Sequence, residues 1–471
     1  MHILTKIRNK LSSQLINNND FIKVSFIYLS LAAAAFIKDA ANAMYLGTTS
    51  RSDNFYFASF IPDAIGNTSF FSALSIACVP IFISIVQSNS IRKLTQTAKF
   101  ISILYFFITL LATIITLFTI IIIIFCLNIN VQNNDFIKLL LLLLPTIALF
   151  PSLAIYTAYH QVLSNYIRAS MAPVILNLVL IIFPVICIIF RIDQHIGIYI
   201  LSIGTYFSII TMLFYLLPSQ IRRNLTKEYL ISIKKRSIFS YINRIPHSIK
   251  NFSNCIEFEL SKKVFIYQLP MFMIILLNQF VLFIERQVAL SFSPGSLSAT
   301  NYSYRLSQFP VWVFAAAIAM TSLTKILSNK NTFLEIQALK NTILKTFAIS
   351  IPITIFFYIF RDKIISILFL RGSFDKNSLT LTIAIFSSYV FSIPFLSANS
   401  VMLKYFTAKG RLKEILPYNA IILILWAIAD IIIVPLKGLY IIGVNATVAS
   451  FILMILFIKH TNAKQQVPIK K

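Results

Sequence analysis

Residues 101–126 read ISILYFFITLLATIITLFTIIIIIFC, a stretch without a single charged side chain. An α-helix rises about 1.5 Å per residue, so about 20 such residues cross the ~30 Å hydrocarbon layer of a bilayer. In lipid every backbone amide and carbonyl must be bonded internally, which a helix achieves and an open strand does not. The stretch therefore reads as a spanning helix, and the rest of the chain repeats it. Apolar blocks lie near 22–46, 54–86, 97–127, 137–160, 169–190, 196–218, 264–289, 298–326, 341–360, 378–402, 415–436 and 438–458. The last two count separately because Pro435 and Gly438 interrupt a run too long for one crossing. The expected fold is an all-α polytopic membrane protein of about twelve transmembrane helices in two six-helix lobes around a central cavity.

Composition agrees. Of 471 residues, 58% are apolar and 12% charged, about half the charged share of a soluble domain. Mean hydropathy is +0.82. Despite a net charge of +26, such a chain is neither disordered nor a nucleic-acid binder. Residues 1–20 are polar and do not form a signal peptide. Cys78, Cys126, Cys187 and Cys255 lie far apart, suggesting neither a disulfide scaffold nor a metal site. The five histidines are scattered, and there is no Gly-rich nucleotide loop with its Lys. No enzyme, cofactor or metal site is expected.

The basic residues orient the stack. With the N-terminus cytoplasmic, 30 of the 41 Lys and Arg fall on the cytoplasmic side, which fits both termini inside and an even number of spans. The largest polar segment, 219–263, holds ten of them, interleaved with Ile, Phe, Leu and Tyr. It reads as an amphipathic linker on the cytoplasmic surface, attracted to anionic membrane lipids. The expected organisation is thus an N-terminal lobe (1–218), the basic linker (219–263), a C-terminal lobe (264–458) and a cytoplasmic tail (459–471). The halves also resemble each other: Asp53 to Pro62 opens the second span, Asn301 to Pro310 the eighth. Each has a polar residue nine positions before a proline, with aromatics between. Internal repeats of this kind characterise secondary transporters.

Charges inside spans are expensive and normally face the protein interior or a watery cavity. Lys38 and Asp39 sit together in the first span, with Asn42 a turn on. Asp53 and Asp63 bracket the start of the second, Glu285 and Arg286 lie near the end of the seventh, Arg305 lies in the eighth and Asp430 in the eleventh. Lys38, Arg286 and Arg305 could meet an anionic group, and an Arg fork suits a phosphate. Blander roles stand beside these: a structural Lys38–Asp39 pair, Arg286 snorkelling to headgroups, Arg305 paired with Glu285, and an interfacial Asp430. Pro145 and Pro151 in one span predict a bend suited to moving helices.

At Arg305 the sequence resembles a known family. Glu285-Arg-Gln-Val-Ala-Leu290 followed by Ser293-Pro-Gly-Ser-Leu-Ser-Ala-Thr-Asn-Tyr-Ser-Tyr-Arg-Leu-Ser-Gln-Phe-Pro310 is similar to the seventh-to-eighth-helix region of the MurJ (MviN) lipid II flippases, within the multidrug/oligosaccharidyl-lipid/polysaccharide exporter superfamily. Phe36-Ile-Lys-Asp39, Ala58-Ser-Phe-Ile-Pro62, Met171-Ala-Pro-Val-Ile-Leu-Asn177, Leu368-Phe-Leu-Arg-Gly-Ser-Phe374 and Ala408-Lys-Gly410 add matches in order. The resemblance implies a bacterial inner-membrane flippase, active in peptidoglycan and cell-wall biogenesis and cell shape. It would carry a lipid-linked anionic precursor, lipid II, outward by alternating access. Cell-wall synthesis proteins are implied as partners; nucleic acid is not. Lys38, Asp53, Arg286 and Arg305 would be the substrate-binding residues, with Asp39, Glu285, Pro145 and Pro151 structural or gating. The chain departs from the pattern where Gly66 and Ala32 stand in place of family arginines, where Tyr304 replaces an acidic residue, and in ending after twelve spans. An exporter of another polyprenyl-linked glycan or amphiphile, or a non-transporting structural or regulatory membrane protein, remain the alternatives.

Overall fold

The computed structural model describes residues 18–87, 91–126, 134–218, 255–315, 326 and 332–463. Its helices are α1 (Asn18–Leu46), α2 (Ser50–Gln87), α3 (Ile91–Cys126), α4 (Asp135–Val162), α5 (Tyr166–Ile189), α6 (Gln194–Leu216) and α7 (Cys255–Leu290). They continue with α8 (Ser296–Pro310), α9 (Thr332–Ile359), α10 (Arg361–Phe369), α11 (Lys376–Ala408), α12 (Leu412–Lys437) and α13 (Ile441–Ala463). Among the described residues there is no strand. Ten of these helices are long and apolar enough to cross a membrane. The expected first and eighth spans fall on α1 and α8, outside that group of ten; α8 leads into residues outside those described.

Two differences from the sequence reading have local causes. The seventh helix begins at Cys255 rather than near 264, so residues 255–263 of the supposed linker extend it. No proline interrupts the helix before Pro270, and Lys263 pairs with Glu259 one turn back at 3.3 Å. The rest of the linker, 219–254, with its amphipathic reading, lies outside the described residues, as do 1–17 and 464–471. The expected loop at 361–376 contains the short helix α10, whose Ile365 and Phe369 are buried in the core. The break between the last two spans falls where expected: α12 stops at Lys437, and Gly438 takes a φ of +104°.

Prolines shape the interior of three helices. After Pro62 the backbone of α2 widens into a π-helix over Asp63–Phe71, and after Pro310 α8 does the same over Val311–Ala315. A π segment misaligns one hydrogen bond per turn and gives the helix a place to bend. In α4 the stretch Leu144–Leu149 tightens into a 3-10 helix that begins beside Pro145 and ends before Pro151. The expected bend is therefore a change of helix type between the two prolines.

α1 packs on α5, α5 on α6, and α4 on the second half of α2. In the other half, α7 packs on α12, α12 on α13, and α11 on α8, α9 and α13. The largest core cluster draws on both halves, joining Leu46, Tyr302, Phe369, Phe374, Phe386 and Tyr389. Outward-facing Ile and Phe side chains on α3, α5, α7, α9 and α12 are exposed, Phe118 by 64% and Ile189 by 67%. A surface this apolar suits lipid rather than water.

Candidate functional site

Helices α1, α2, α4, α5, α6, α7 and α8 enclose a cavity of about 150 Å³. Its charged lining is Lys38 and Asp39 from α1, Asp63 from α2, Arg286 from α7 and Arg305 from α8. Asn42, Asn67, Asn301, Thr205 and Ser208 supply neutral polar groups. Three cations named from sequence thus converge, although they come from three helices.

Neighbours on a helix point about 100° apart. Even so, Lys38 Nζ reaches Asp39 Oδ1 at 3.4 Å because its four-carbon stem can fold back. Both residues still line the cavity, so pairing and cavity-facing coexist. Arg305 does not pair with Glu285. Its Nε is buried with no hydrogen-bond partner among the described residues, and the carboxylates whose charge it feels are Asp39 and Asp63. Asp63 in turn accepts from Asn67 Nδ2 at 2.9 Å. Arg286 does not snorkel: it is 5% exposed, with its guanidinium 3.9 Å from the centre of the Phe60 ring. Its Nη1 donates to Leu282 O at 3.0 Å and its Nη2 to Asn301 Oδ1 at 3.3 Å, which fixes the fork toward the cavity wall.

Glu285 points elsewhere, accepting from Tyr389 Oη at 3.0 Å. Asp430 is fully buried rather than interfacial; Asn445 Nδ2 donates to it at 2.8 Å, and its charge acts on Glu285. This acidic pair between α7 and α12 joins residues far apart in sequence, and nothing in the local pattern linked them.

Asp53 is also absent from the cavity wall. Its carboxylate accepts from Gly295 N–H at 2.6 Å, Ser298 N–H at 2.8 Å and Ser298 Oγ at 2.6 Å, capping the first turn of α8. Ser52 Oγ lies 2.6 Å from Ser298 Oγ, and Tyr56 Oη donates to Tyr302 Oη at 3.2 Å. Tyr302 Oη donates on to Gly47 O at 3.0 Å. The backbones touch as well: a Cβ on Gly47 would lie 2.2 Å from Ser373 O, and one on Gly295 2.4 Å from Thr48 O. Together these contacts seal the end of the cavity opposite the basic loops.

The prolines of α4 flank the wall rather than form it; Thr146 and Phe150, between them, face the cavity. Phe150 also explains Gly66, whose Cβ would come within 2.3 Å of its ring. A long side chain at Gly66 has no room in this packing. Tyr304 lies beside Arg286, its ring centre 5.9 Å from the guanidinium. Ala32 lines a narrow crevice between α1 and α8, next to Phe36, Phe309 and Trp312. Asn67, Thr205 and Ser208 were missed; their only signal was a polar residue in an apolar block. Among the described residues no His, Cys, Asp and Glu cluster could hold a metal ion.

A multi-pass α-helical membrane protein with cations gathered on one interior cavity has the build of a transporter. The family profile described as "Lipid II flippase MurJ" matches residues 42–471. The chain belongs to the MurJ/MviN family of that superfamily, non-catalytic transporters of the bacterial inner membrane. A probable lipid II flippase of Aquifex aeolicus is 24% identical over 384 residues, spanning 80% of this chain and 70% of that protein. One of Rhizobium tropici is 22% identical over 425 residues, spanning 88% and 75%. Among solved structures, a lipid II flippase MurJ in an inward closed conformation aligns with a TM-score of 0.69 at 22% identity, covering 95% of this chain and 88% of that one. An inward-facing multidrug resistance transporter of the MATE family aligns with a TM-score of 0.66 at 14% identity, covering 94% and 100%.

Proposed function

We propose that the protein moves lipid II from the inner to the outer leaflet by alternating access, through twelve crossings arranged as two six-helix lobes, 1–218 and 264–458, with both termini cytoplasmic. The observation that carries this reading is the convergence of Lys38, Arg286 and Arg305 on one cavity whose far end is sealed. The cargo's diphosphate enters from the basic side with its tail left among lipids. There it competes with Asp39 for Lys38 and engages the unpartnered Nε of Arg305. Arg286, braced by Phe60 and Asn301, adds a fixed positive wall. Charge neutralisation offsets part of the cost of removing the phosphates from water. Release follows when the seal around Asp53 parts and the basic side closes. An inside-negative potential favours outward movement of negative charge by about 2.3 kcal/mol per charge per 100 mV.

The test is complementation of a conditional lipid II flippase depletion, with membrane abundance followed in parallel. Rescue of growth supports the proposal. A well-expressed protein that never rescues refutes it and leaves another polyprenyl-linked cargo or a non-transporting role. The observation favouring the latter is the filling of the space beside Gly66 by Phe150.

A further inference from the structure

A second cavity, of about 420 Å³, lies away from the central one, in a groove between α3 and the first half of α7. Leu104, Ile108 and Ala112 form one wall and Phe258 and Phe265 the other, with Ile65 and Ile147 at its floor. Ile108 and Phe265 are each more than half exposed, so the groove opens on the apolar outer surface. Lys262 stands at its basic end, exposed, and among the described residues no carboxylate pairs with it, whereas Lys263 is taken by Glu259.

Thr109, Thr113 and Thr116 along the groove return their hydroxyls to carbonyls of their own helix, whereas unpartnered polar groups interrupt the lining at one depth. Tyr105 and Gln268 both line the groove and are 5% and 4% exposed. Tyr105 Oη and Gln268 Oε1 have no hydrogen-bond partner among the described residues. Gln268 follows Lys262 by six positions, and Tyr105 follows Lys99 by six. At 1.5 Å per residue, each lies about 9 Å deeper than its lysine. Cation at the rim, polar groups a little deeper and an apolar slot beyond match the phosphate, ester and acyl layers of a glycerophospholipid.

We propose that this groove binds one anionic glycerophospholipid of the leaflet on the basic side. Its phosphate meets Lys262. An ester carbonyl accepts from Tyr105 Oη, Gln268 Oε1 takes interfacial water, and one acyl chain lies along Ile108 and Ala112 toward Thr116. Charge decides the lipid class, because a zwitterionic headgroup gains little from a lone lysine. The site is independent of the cargo reading, since it shares no lining residue with the central cavity.

The test uses Phe265→Trp as a reporter in the full chain, reconstituted in phosphatidylcholine vesicles, with the parent's Trp312 and Trp426 emission subtracted. Brominated phosphatidylglycerol should quench the reporter with an affinity about fivefold above brominated phosphatidylcholine, the effect of about one lysine at a membrane surface. Lys262→Gln should abolish the preference and Lys262→Arg should keep it. Equal quenching by the two lipids in the Lys262 protein overturns the proposal. So does displacement of the brominated lipid by equimolar polyprenyl phosphate, which would mark the groove as a track for the cargo's tail.

Discussion

Asp53→Ala should open the sealed end of the cavity without unfolding the protein. The carboxylate serves two backbone amides, Gly295 at 2.6 Å and Ser298 at 2.8 Å, and the Ser298 hydroxyl at 2.6 Å. After substitution the hydroxyl still has Ser52 Oγ at 2.6 Å, but the two amides are stranded. Each stranded buried amide costs about 1–3 kcal/mol, so the sealed arrangement loses roughly 2–6 kcal/mol. Once the end is open, water solvates the same amides, so the cost falls on the sealed state alone. Even about 3 kcal/mol, toward the lower end of that range, raises the open-to-sealed ratio roughly 100-fold. Ser59 lines the central cavity, and in a cysteine-free background Ser59→Cys reports access. Labelling of intact cells with an impermeant maleimide should accelerate at least about tenfold with Asp53→Ala. Asp53→Asn should fall between, because its single acceptor oxygen satisfies one amide. Unchanged labelling at normal membrane abundance would refute the latch.

Arg305→Ala should abolish flipping by the reconstituted, normally inserted protein, while Arg305→Lys keeps part of it, since Lys retains charge but loses the fork; wild-type transport by the alanine variant would make the residue structural. Lys38→Gln and Asp39→Asn should each lower abundance by breaking the 3.4 Å pair, and the double variant should regain abundance but not transport; recovery of both excludes Lys38 as an essential cargo contact. Gly66→Ala should cost about 1–3 kcal/mol by overpacking, seen as lower thermal stability in detergent. Adding Phe150→Leu should relieve it, and no change in stability for Gly66→Ala would show that the ring moves aside freely. Cysteines at Ser248 and at the exposed Ser291 should label from inside and outside respectively, and the reverse pattern overturns the orientation.

The spans were legible because the bilayer imposes one rule on every crossing, and Ile101 to Cys126 or Ile441 to Phe457 obey it residue by residue. Gly438 was legible for a similar reason: a glycine after a proline-bearing run stops a helix whatever surrounds it. Cations in spans pointed to an interior cavity, and Lys38, Arg286 and Arg305 do line one. What each charge touches was not legible. An aspartate at the start of a helix looks the same whether it faces a ligand or caps a second helix 242 residues away, as Asp53 does. Glu285 bonds Tyr389 and Asp430 bonds Asn445 through tertiary packing alone, which no periodicity encodes. The π segments after Pro62 and Pro310 were hidden too, since proline marks a defect without specifying its kind.

Those two segments give the internal resemblance a mechanical meaning. Ser52 faces Ser298 and Tyr56 faces Tyr302, each pair separated by 246 residues, within two of the spacing between Pro62 and Pro310. These contacts join the α-helical starts of α2 and α8, and each start runs to a proline followed by a π segment. In the proposed cycle, separating these contacts would swing both helix starts outward about the π segments. Arg305 lies between Tyr302 and Pro310, on the moving end of α8, whereas Lys38 belongs to α1. In the proposed cycle, opening this end would draw Arg305 away from Lys38 and weaken their joint hold on an anion as the cavity meets the far side. In the proposed alternating-access cycle, one hinge motion would then both expose the cargo and loosen its grip.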